Sequence, residues 1–414
     1  MRRFEVRAGW TALAFALAGG LSSGLAFGGI TDCNGNGVHD PVEIANGTAI
    51  DLDGDGIIDT CEGVYQVPAA FPTIQAAIDA VPAGVHGHVE VAPGVCIGAV
   101  SFNGKDVLVS GHPDWTSIVD GTGLNTSTIR FTGGEPATAG LEDLLVRNGT
   151  AGTIITPPPQ SLRVGGGVYG LNSSAFIHHC KFENNRCDFG GGIYLKYCNI
   201  DVADCLFTSN VALTDGGGGQ WFRCAGTVSG CTFTANHAGY YGPGSGSGCK
   251  GVGNKVPGGT LLITDCTFSA NIAHVEGAAI ELYEDLAYSP GKFRIEDCQI
   301  TGNNSGWGTN WVGAGGVKNL GPQHICILGG STSVCDNQLN NVSGPYLLAP
   351  KSSVEVCDCE ADTFQSGVVD GGDLGIMLSQ WGSTTGAESD ITHDGVVNGQ
   401  DLTLLLASWG PCGD

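Results

Sequence analysis

From residue 64 to about residue 350 the chain reads as short apolar runs broken by turns, the pattern of strands and not of long amphipathic helices. Val89-Glu-Val-Ala-Pro-Gly-Val95 and Asp106-Val-Leu-Val-Ser-Gly111 are two such strands, each closed by turn residues. Phe71 to Val81 differs: Ile74, Ala77, Ile78 and Val81 share one helical face, and Thr73 is placed to cap it. Further on a motif recurs. Phe182-Glu-Asn-Asn185, Phe207-Thr-Ser-Asn210, Phe233-Thr-Ala-Asn236, Phe268-Ser-Ala-Asn271 and Ile300-Thr-Gly-Asn303 follow one another at intervals of 25, 26, 35 and 32 residues. A glycine group follows each: Gly190 to Gly192, Gly216 to Gly219, Gly242 to Gly248, Gly277-Ala-Ala-Ile280 and Gly313-Ala-Gly-Gly-Val317. The earlier Gly165-Gly-Gly-Val-Tyr169 fits the same series. Such a period suits a solenoid whose coils stack at ~4.8 Å, so that equivalent positions form columns. Phe182, Phe207, Phe233 and Phe268 then line the core, and the asparagines form a hydrogen-bonded ladder. The two longer intervals place insertions at 239–259 and 277–291.

The ends follow other patterns. Arg2, Arg3 and Arg7 precede an apolar run from Trp10 to Phe27, read as a secretory signal peptide over 1–28. The run is short and glycine-interrupted for a membrane span, and no later segment reaches the ~20 apolar residues a span needs. At the other end, Asp362 to Gly382 and Asp390 to Gly410 align at a constant offset of 28 residues. In both copies an acidic loop leads into an apolar helical stretch ending at Trp381 or Trp409.

Composition narrows the classes of function. Of 414 residues 69 are glycine, far too many for a helical bundle, while 42% hydrophobic content is enough for a large core. The formal net charge of −24 repels nucleic-acid phosphates and anionic membranes. Acidic groups in such excess need solvent or metal ions. The 17 cysteines of an exported chain imply disulfides, with at least one thiol left over.

Part of the acidity is patterned for calcium. Asp32, Asn34, Asn36, Asp40 and Glu43 occupy positions 1, 3, 5, 9 and 12 of a calcium loop with Gly37 at the turn and the Val38 carbonyl as a further ligand. Asp51, Asp53, Asp55, Asp59 and Glu62, with Gly56 and the Ile57 carbonyl, repeat it. The seven residues from Ile44 to Ile50 are too few for an exiting and an entering helix at ~1.5 Å per residue. The segment 29–63 resembles the calcium-loop arrays of thrombospondin type 3 repeats, which implies structural Ca2+, with Cys33 and Cys61 placed to close the module as a disulfide.

The helix at 71–81, the strands after it and the F-x-x-N series resemble the right-handed parallel β-helices of pectin-lyase-like proteins. The pairing of F-x-x-N with G-G-A/G-I/V also resembles polymorphic outer membrane protein repeats. The implied fold is mainly β, a right-handed parallel β-helix over 64–350, with a small N-terminal calcium-loop module and a C-terminal α-helical module. Cys180, Cys205, Cys231, Cys266 and Cys298 each stand two residues before the Phe or Ile of the motif. Cys198, Cys224 and Cys249 follow glycine groups as a second column. Either the columns are bridged, as Cys198–Cys205, Cys224–Cys231 and Cys249–Cys266, or the thiols are reduced and stacked in the core.

Two groupings are candidates for contact with a polysaccharide. Tyr169, Tyr194 and Trp221 follow three glycine groups, and alternation beside Val168 and Ile193 points them outward. They form an aromatic strip for sugar rings, or they pack on one another under a loop. Glu276, Glu281, Glu284 and Asp285, with His274, are the densest acidic cluster, suited to glycosidic acid–base chemistry, to calcium, or simply to solvent. Asp204, Asp265 and Asp297 each precede a column cysteine. The Asn-Thr-Asp, Asp-Asp and Gly-His-Gly segments of polygalacturonase-like enzymes and the Gln-Asp-Thr-Leu of pectinesterase-like ones do not occur, so no catalytic residue is carried over.

The C-terminal pattern Asp390-x-Thr392-x-Asp394-Gly395-x-Val397-Asn398-x-x-Asp401, followed by Leu402 to Trp409, resembles a type I dockerin over 355–414. The resemblance implies calcium ligands at Asp390, Asp394, Val396 through its carbonyl, Asn398 and Asp401, and a cohesin-like or surface-anchoring partner. Thr392 departs from the usual Asn or Asp. The first copy has Phe364 and Ser366 at ligand positions and keeps only Asp362, Asp370 and Asp373. Cys357 or Cys359 is placed to pair with Cys412. Two functions compete: an exported polysaccharide-binding or polysaccharide-degrading protein, and a non-catalytic surface or adhesion protein.

Overall fold

The structure is a computed structural model. It describes residues 36–49, 51, 58, 63–150, 153–154, 162–239, 246–252, 260–275, 277–283, 292–305, 315–319, 325–335, 337, 342–343, 347–349, 352, 355–356, 361–363, 368–383, 389–392 and 395–411. The chain divides into two compact units, Met1–Cys61 and Glu62–Asp414. In the first, the helix Asp40–Asn46 has Pro41 in its first turn and stops at Gly47, whose φ of 68° ends the helix in the left-handed region. Asp40 and Glu43 are buried in its first turn.

The second unit opens with the helix Ile74–Ala80, capped by the Thr73 hydroxyl accepting from the Ala76 N–H at 3.1 Å. It buries Ile74, Ala77 and Ile78, the face expected from the sequence. At its other end the Lys105 Nζ donates to the carbonyls of Ile78, Asp79 and Val81 at 2.7–2.8 Å, satisfying acceptors a helix end leaves open. Beyond it the chain winds into a parallel β-helix. One coil runs Phe176–His178, Lys181–Glu183, Arg186–Phe189, Ile193–Lys196, and its strands belong to four different sheets, here A, B, D and C in chain order. Sheet A has 11 strands, B has 10, C has 9 and D has 7, and neighbours in each come from successive coils. Among the described residues, pairing in these four sheets is parallel except where Thr153–Ile154 meets Arg163–Val164.

Columns hold the coils in register. Phe182, Phe207, Phe233 and Phe268 are fully buried and stack ring on ring at 4.5–4.8 Å. The asparagines form the expected ladder, extended by Asn337. The Asn210 Nδ2, for example, donates to the Asn236 Oδ1 at 3.0 Å and to the Phe182 carbonyl at 2.9 Å, while its Oδ1 accepts from the Asn185 backbone N–H at 3.1 Å. Each amide thus satisfies buried groups of two other coils that cannot reach water.

The cysteines are a correction to the bridged alternative. Cys180, Cys198, Cys205, Cys224, Cys231, Cys249, Cys266 and Cys298 are free and buried. The stacking runs along each column: the Cys180 N–H meets the Cys205 Sγ, the Cys205 N–H the Cys231 Sγ, and the Cys198 N–H the Cys224 Sγ, each at 3.4 Å. In-register parallel strands aim these side chains the same way, so sulfurs of the two columns do not face each other. Cys249 leaves the second column altogether, pairing in register with Gly219 and Ile280.

In the C-terminal repeat the helices Gly371–Ser379 and Gly399–Ala407 both begin with a capping box, Asp370 with Asp373 and Asn398 with Asp401. Ala361, Val369, Met377, Ile391, Val397 and Leu405 form a small core of their own.

Candidate functional site

The strands of sheet D lead into those of sheet C through glycines in the left-handed region, Gly190, Gly216, Gly246 and Gly277, with φ of 59–73°. A Cβ at Gly216, Gly246 or Gly277 would stand 2.8 Å from the Cβ of the residue four positions on, namely Gln220, Lys250 or Glu281. Glycine is required there both for the turn and for the side chain that lies across it. Those residues are one column. In-register pairing runs Arg130, Tyr169, Tyr194, Gln220, Lys250, Glu281, Lys318 along sheet C.

The register corrects the expected aromatic strip. The group Gly216 to Gly219 has one glycine more than Gly190 to Gly192, so Tyr194 pairs with Gln220, and Trp221 pairs with the inward-facing Leu195. Trp221 is 1% exposed and belongs to the main core, beside Gly219 and Gly251. Tyr169 and Tyr194 do stand one above the other, with ring centroids 6.2 Å apart, but they are 6% and 4% exposed and pack with Val164, Leu171, Phe189 and Phe222. They offer no open ring face to a sugar.

Glu281 is buried and sits in a charged cluster. The Lys250 Nζ lies 2.7 Å from the Glu281 Oε2 and 3.1 Å from the Asp215 Oδ2, with the lysine and glutamate side chains 8% and 3% exposed. Burial by itself would lower the Lys250 pKa, but the two carboxylates outweigh it and the net direction is upward, so the ammonium stays charged. Next along the column Gln220 is buried, and its Oε1 is enclosed without a hydrogen-bond partner. Leaving such an acceptor unpaired costs about 1–3 kcal/mol. Arg130 likewise has an enclosed, unpartnered Nε. Lys250, Asp215 and Gln220 escaped the sequence reading; counting the glycines of each corner would have found them. Glu276, Glu284 and Asp285 lie outside the described residues.

The calcium ligands are placed only in part. Asp32, Asn34, Asp53, Asp55, Ile57, Asp59, Glu62 and Asp394 lie outside the described residues. In the first loop the Val38 N–H donates to the Asn36 Oδ1 at 2.8 Å and the Asn36 Nδ2 to the Glu43 Oε1 at 2.7 Å. In the last, Asp401 is fully buried, its Oδ1 accepting from the Thr392 N–H and hydroxyl at 2.9 Å and its Oδ2 from the Asn398 N–H at 2.7 Å. Burial tends to raise the Asp401 pKa, but these donors bring it down, so the group is an enclosed anion. The Asp390 Oδ2 accepts from the Gly395 N–H at 2.9 Å, folding the loop toward it. Carboxylate, amide and carbonyl oxygens of the kind carried by Asp390, Val396, Asn398 and Asp401 suit a hard cation. Among the described residues no group of three or more His, Cys, Asp or Glu side chains is arranged as a metal site.

Fold and site together define a parallel β-helix with a polar column at one corner. No protein-family model and no curated protein matches the chain. Among solved structures it is similar to the pectin methylesterase of Aspergillus niger, at 12% identity and a TM-score of 0.43 over 70% of this chain and 86% of that one. It is also similar to a tailspike protein of Acinetobacter baumannii bacteriophage Fri1, a capsular polysaccharide depolymerase, at 11% identity and a TM-score of 0.33 over 66% and 57%. A third is the catalytic unit of a GH87 alpha-1,3-glucanase from Streptomyces thermodiastaticus, at 14% identity and a TM-score of 0.25 over 68% and 65%. The β-helix assignment itself rests on the strand pairing above.

Proposed function

We propose that the chain is an exported, calcium-stiffened β-helix that binds an extracellular polysaccharide along the outer face of its stacked coils. Its C-terminal helix pair attaches it to a cohesin-like scaffold or surface partner. The observation that carries this reading is the set of parallel sheets, whose strands pair in register from coil to coil and so repeat outward-facing positions along the solenoid. A linear polymer laid along the solenoid meets one outward-facing position per coil, about every 4.8 Å. Attachment is supported by Leu378, Trp381, Leu406 and Trp409, large apolar side chains left exposed at equivalent positions of the two repeats.

Calcium at the last loop would be held by Asp390, Asp394, the Val396 carbonyl, Asn398 and Asp401, where it would neutralise the enclosed carboxylate and tie loop to helix. The loops at Asp32 to Glu43 and Asp51 to Glu62 would do the same at the other end of the chain. Affinity electrophoresis against soluble acidic and neutral polysaccharides, beside assays for new reducing ends and unsaturated products, tests the binding. Retardation by at least one polymer supports it; neither retardation nor turnover across the panel overturns it. Chelator is expected to lower the Tm, and an unchanged value counts against structural calcium.

A further inference from the structure

We infer that the open end of sheet B is a docking site for an extended, uncharged apolar segment of another protein, which joins the sheet as an additional strand. The strand Gly94–Ile97 is the terminal member of sheet B. Its Gly94 N–H donates to the Thr116 carbonyl at 2.9 Å, toward the coil that follows. Successive residues of a parallel strand bond to opposite sides, so the N–H and C=O groups of Val95 and Ile97 point the other way, where no described strand pairs with them. The first strands of the neighbouring sheets do have partners on that side. On sheet C the Gln75 amide meets the terminal strand Val100–Ser101, accepting from the Ser101 N–H at 2.7 Å and donating to the Ser101 carbonyl at 3.1 Å. On sheet A the Gln66 carbonyl of the strand Val64–Val67 accepts from the Ala70 and Phe71 N–H groups at 2.9 Å. Sheet B has no such cover among the described residues, and its terminal strand exposes Val95 at 53% and Ile97 at 69%. An apolar edge strand in that state is a template for pairing with another chain.

What the site offers sets the occupant. Beside the strand lies a cavity of about 300 Å³ whose lining includes Pro72, Ile74, Cys96, Val100 and Val119. Cys96 heads the inward column that continues in register through Val119 and Val146 to Phe182, so the cavity stands at the head of a core column. No lining residue is charged, although the chain carries a net charge of −24. Two polar side chains of the lining are already engaged, the Thr73 hydroxyl by the Ala76 N–H and the Gln75 amide by Ser101. A sugar seated here buries hydroxyls against apolar walls, which costs free energy. A peptide strand brings N–H and C=O groups that match those of Val95 and Ile97. It also brings an apolar side chain for the cavity and outward neighbours that cover Val95 and Ile97.

The test uses the full chain and a fluorescein-labelled peptide, Lys-Thr-Val-Phe-Val-Thr-Lys, followed by fluorescence anisotropy. The rate at which a thiol reagent labels Cys96 is a second readout, since that side chain lines the cavity. The peptide is expected to raise the anisotropy and to slow Cys96 labelling in step with occupancy. Ile97→Lys changes an exposed side chain, so it should keep the wild-type Tm while weakening the peptide at least about tenfold through lost apolar cover. The same peptide with every backbone nitrogen methylated keeps its side chains, loses its N–H donors and should not bind. No anisotropy change with the unmethylated peptide overturns the inference. Equal binding by the methylated peptide marks an apolar groove without strand pairing and overturns it as well. Unchanged affinity for Ile97→Lys, or unchanged Cys96 labelling in the bound state, places the peptide elsewhere with the same result. A wild type that sediments as a dimer, with Ile97→Lys a monomer, makes a second copy of this chain the occupant and overturns the assignment to another protein.

Discussion

Lys250→Met removes the shared cation of the corner cluster while keeping most of the side chain's volume. In the wild type the Lys250 ammonium is nearly enclosed, 2.7 Å from Glu281 and 3.1 Å from Asp215. Without it two carboxylate oxygens no more than about 6 Å apart confront each other, worth at least about 3 kcal/mol of repulsion at an effective dielectric constant of about 20. Breaking a buried ion pair from one side typically costs about 3–5 kcal/mol, in agreement. The double change Lys250→Met with Glu281→Met removes both members of the closer pair and should recover most of the loss. Urea and thermal unfolding of the four corners of this cycle measure it. In the wild type the Lys250 pKa is raised on folding, so its contribution is fully present below its unfolded value of about 10.4 and is lost only as pH rises through the higher folded value. The difference between wild type and Lys250→Met should therefore be constant from pH 6 to 9. The reasoning is refuted if Lys250→Met melts with the wild type, or if the double variant is no more stable than the single one.

Other consequences are as direct. Asn236→Leu strands the Asn210 N–H and the Phe207 carbonyl, and should cost at least about 2 kcal/mol, with faster hydrogen exchange in the flanking coils. Asp120 is held near a pKa of about 2: burial acts to raise it, but hydrogen bonds from Thr122, Arg147 and Asn148 prevail. Its contribution is present above the unfolded value of about 3.9 and lost as pH falls through about 2, so wild type should lose about 2 kcal/mol more than Asp120→Asn between pH 5 and 2. Burial pushes the Cys180 and Cys187 thiols up to about 12, so at pH 8 only about one in 10⁴ is a thiolate. Among the ten free cysteines of the described residues a thiol reagent should label the half-buried Cys96 first and the others only on unfolding, whereas rapid labelling of several of these in the native protein would contradict the packed columns.

The repeated Phe-x-x-Asn motif was legible because one residue type does one job in every coil: a ring that must be buried, and an amide that must bridge coils. The capped helix was legible for a similar local reason, since Thr73 and the spacing of Ile74, Ala77 and Ile78 need nothing distant. The candidate site was not. Glu281 was singled out as part of an acidic cluster, yet its partner Lys250 is 31 residues away and Asp215 further still. They meet only because parallel pairing sets Lys250 beside Glu281.

The same dependence on register moved Trp221 from an expected outer strip into the core, a shift produced by a single extra glycine. It also decided the cysteines, whose spacing suited bridges and ladders alike until parallel strands aimed every sulfur in one direction. The sequence by itself determined that the chain stacks coils and what each column is made of, because burial and amide pairing are written in residue type and period. Only the tertiary structure decided which side chains share a column, because that depends on hydrogen bonds between coils some 25–35 residues apart.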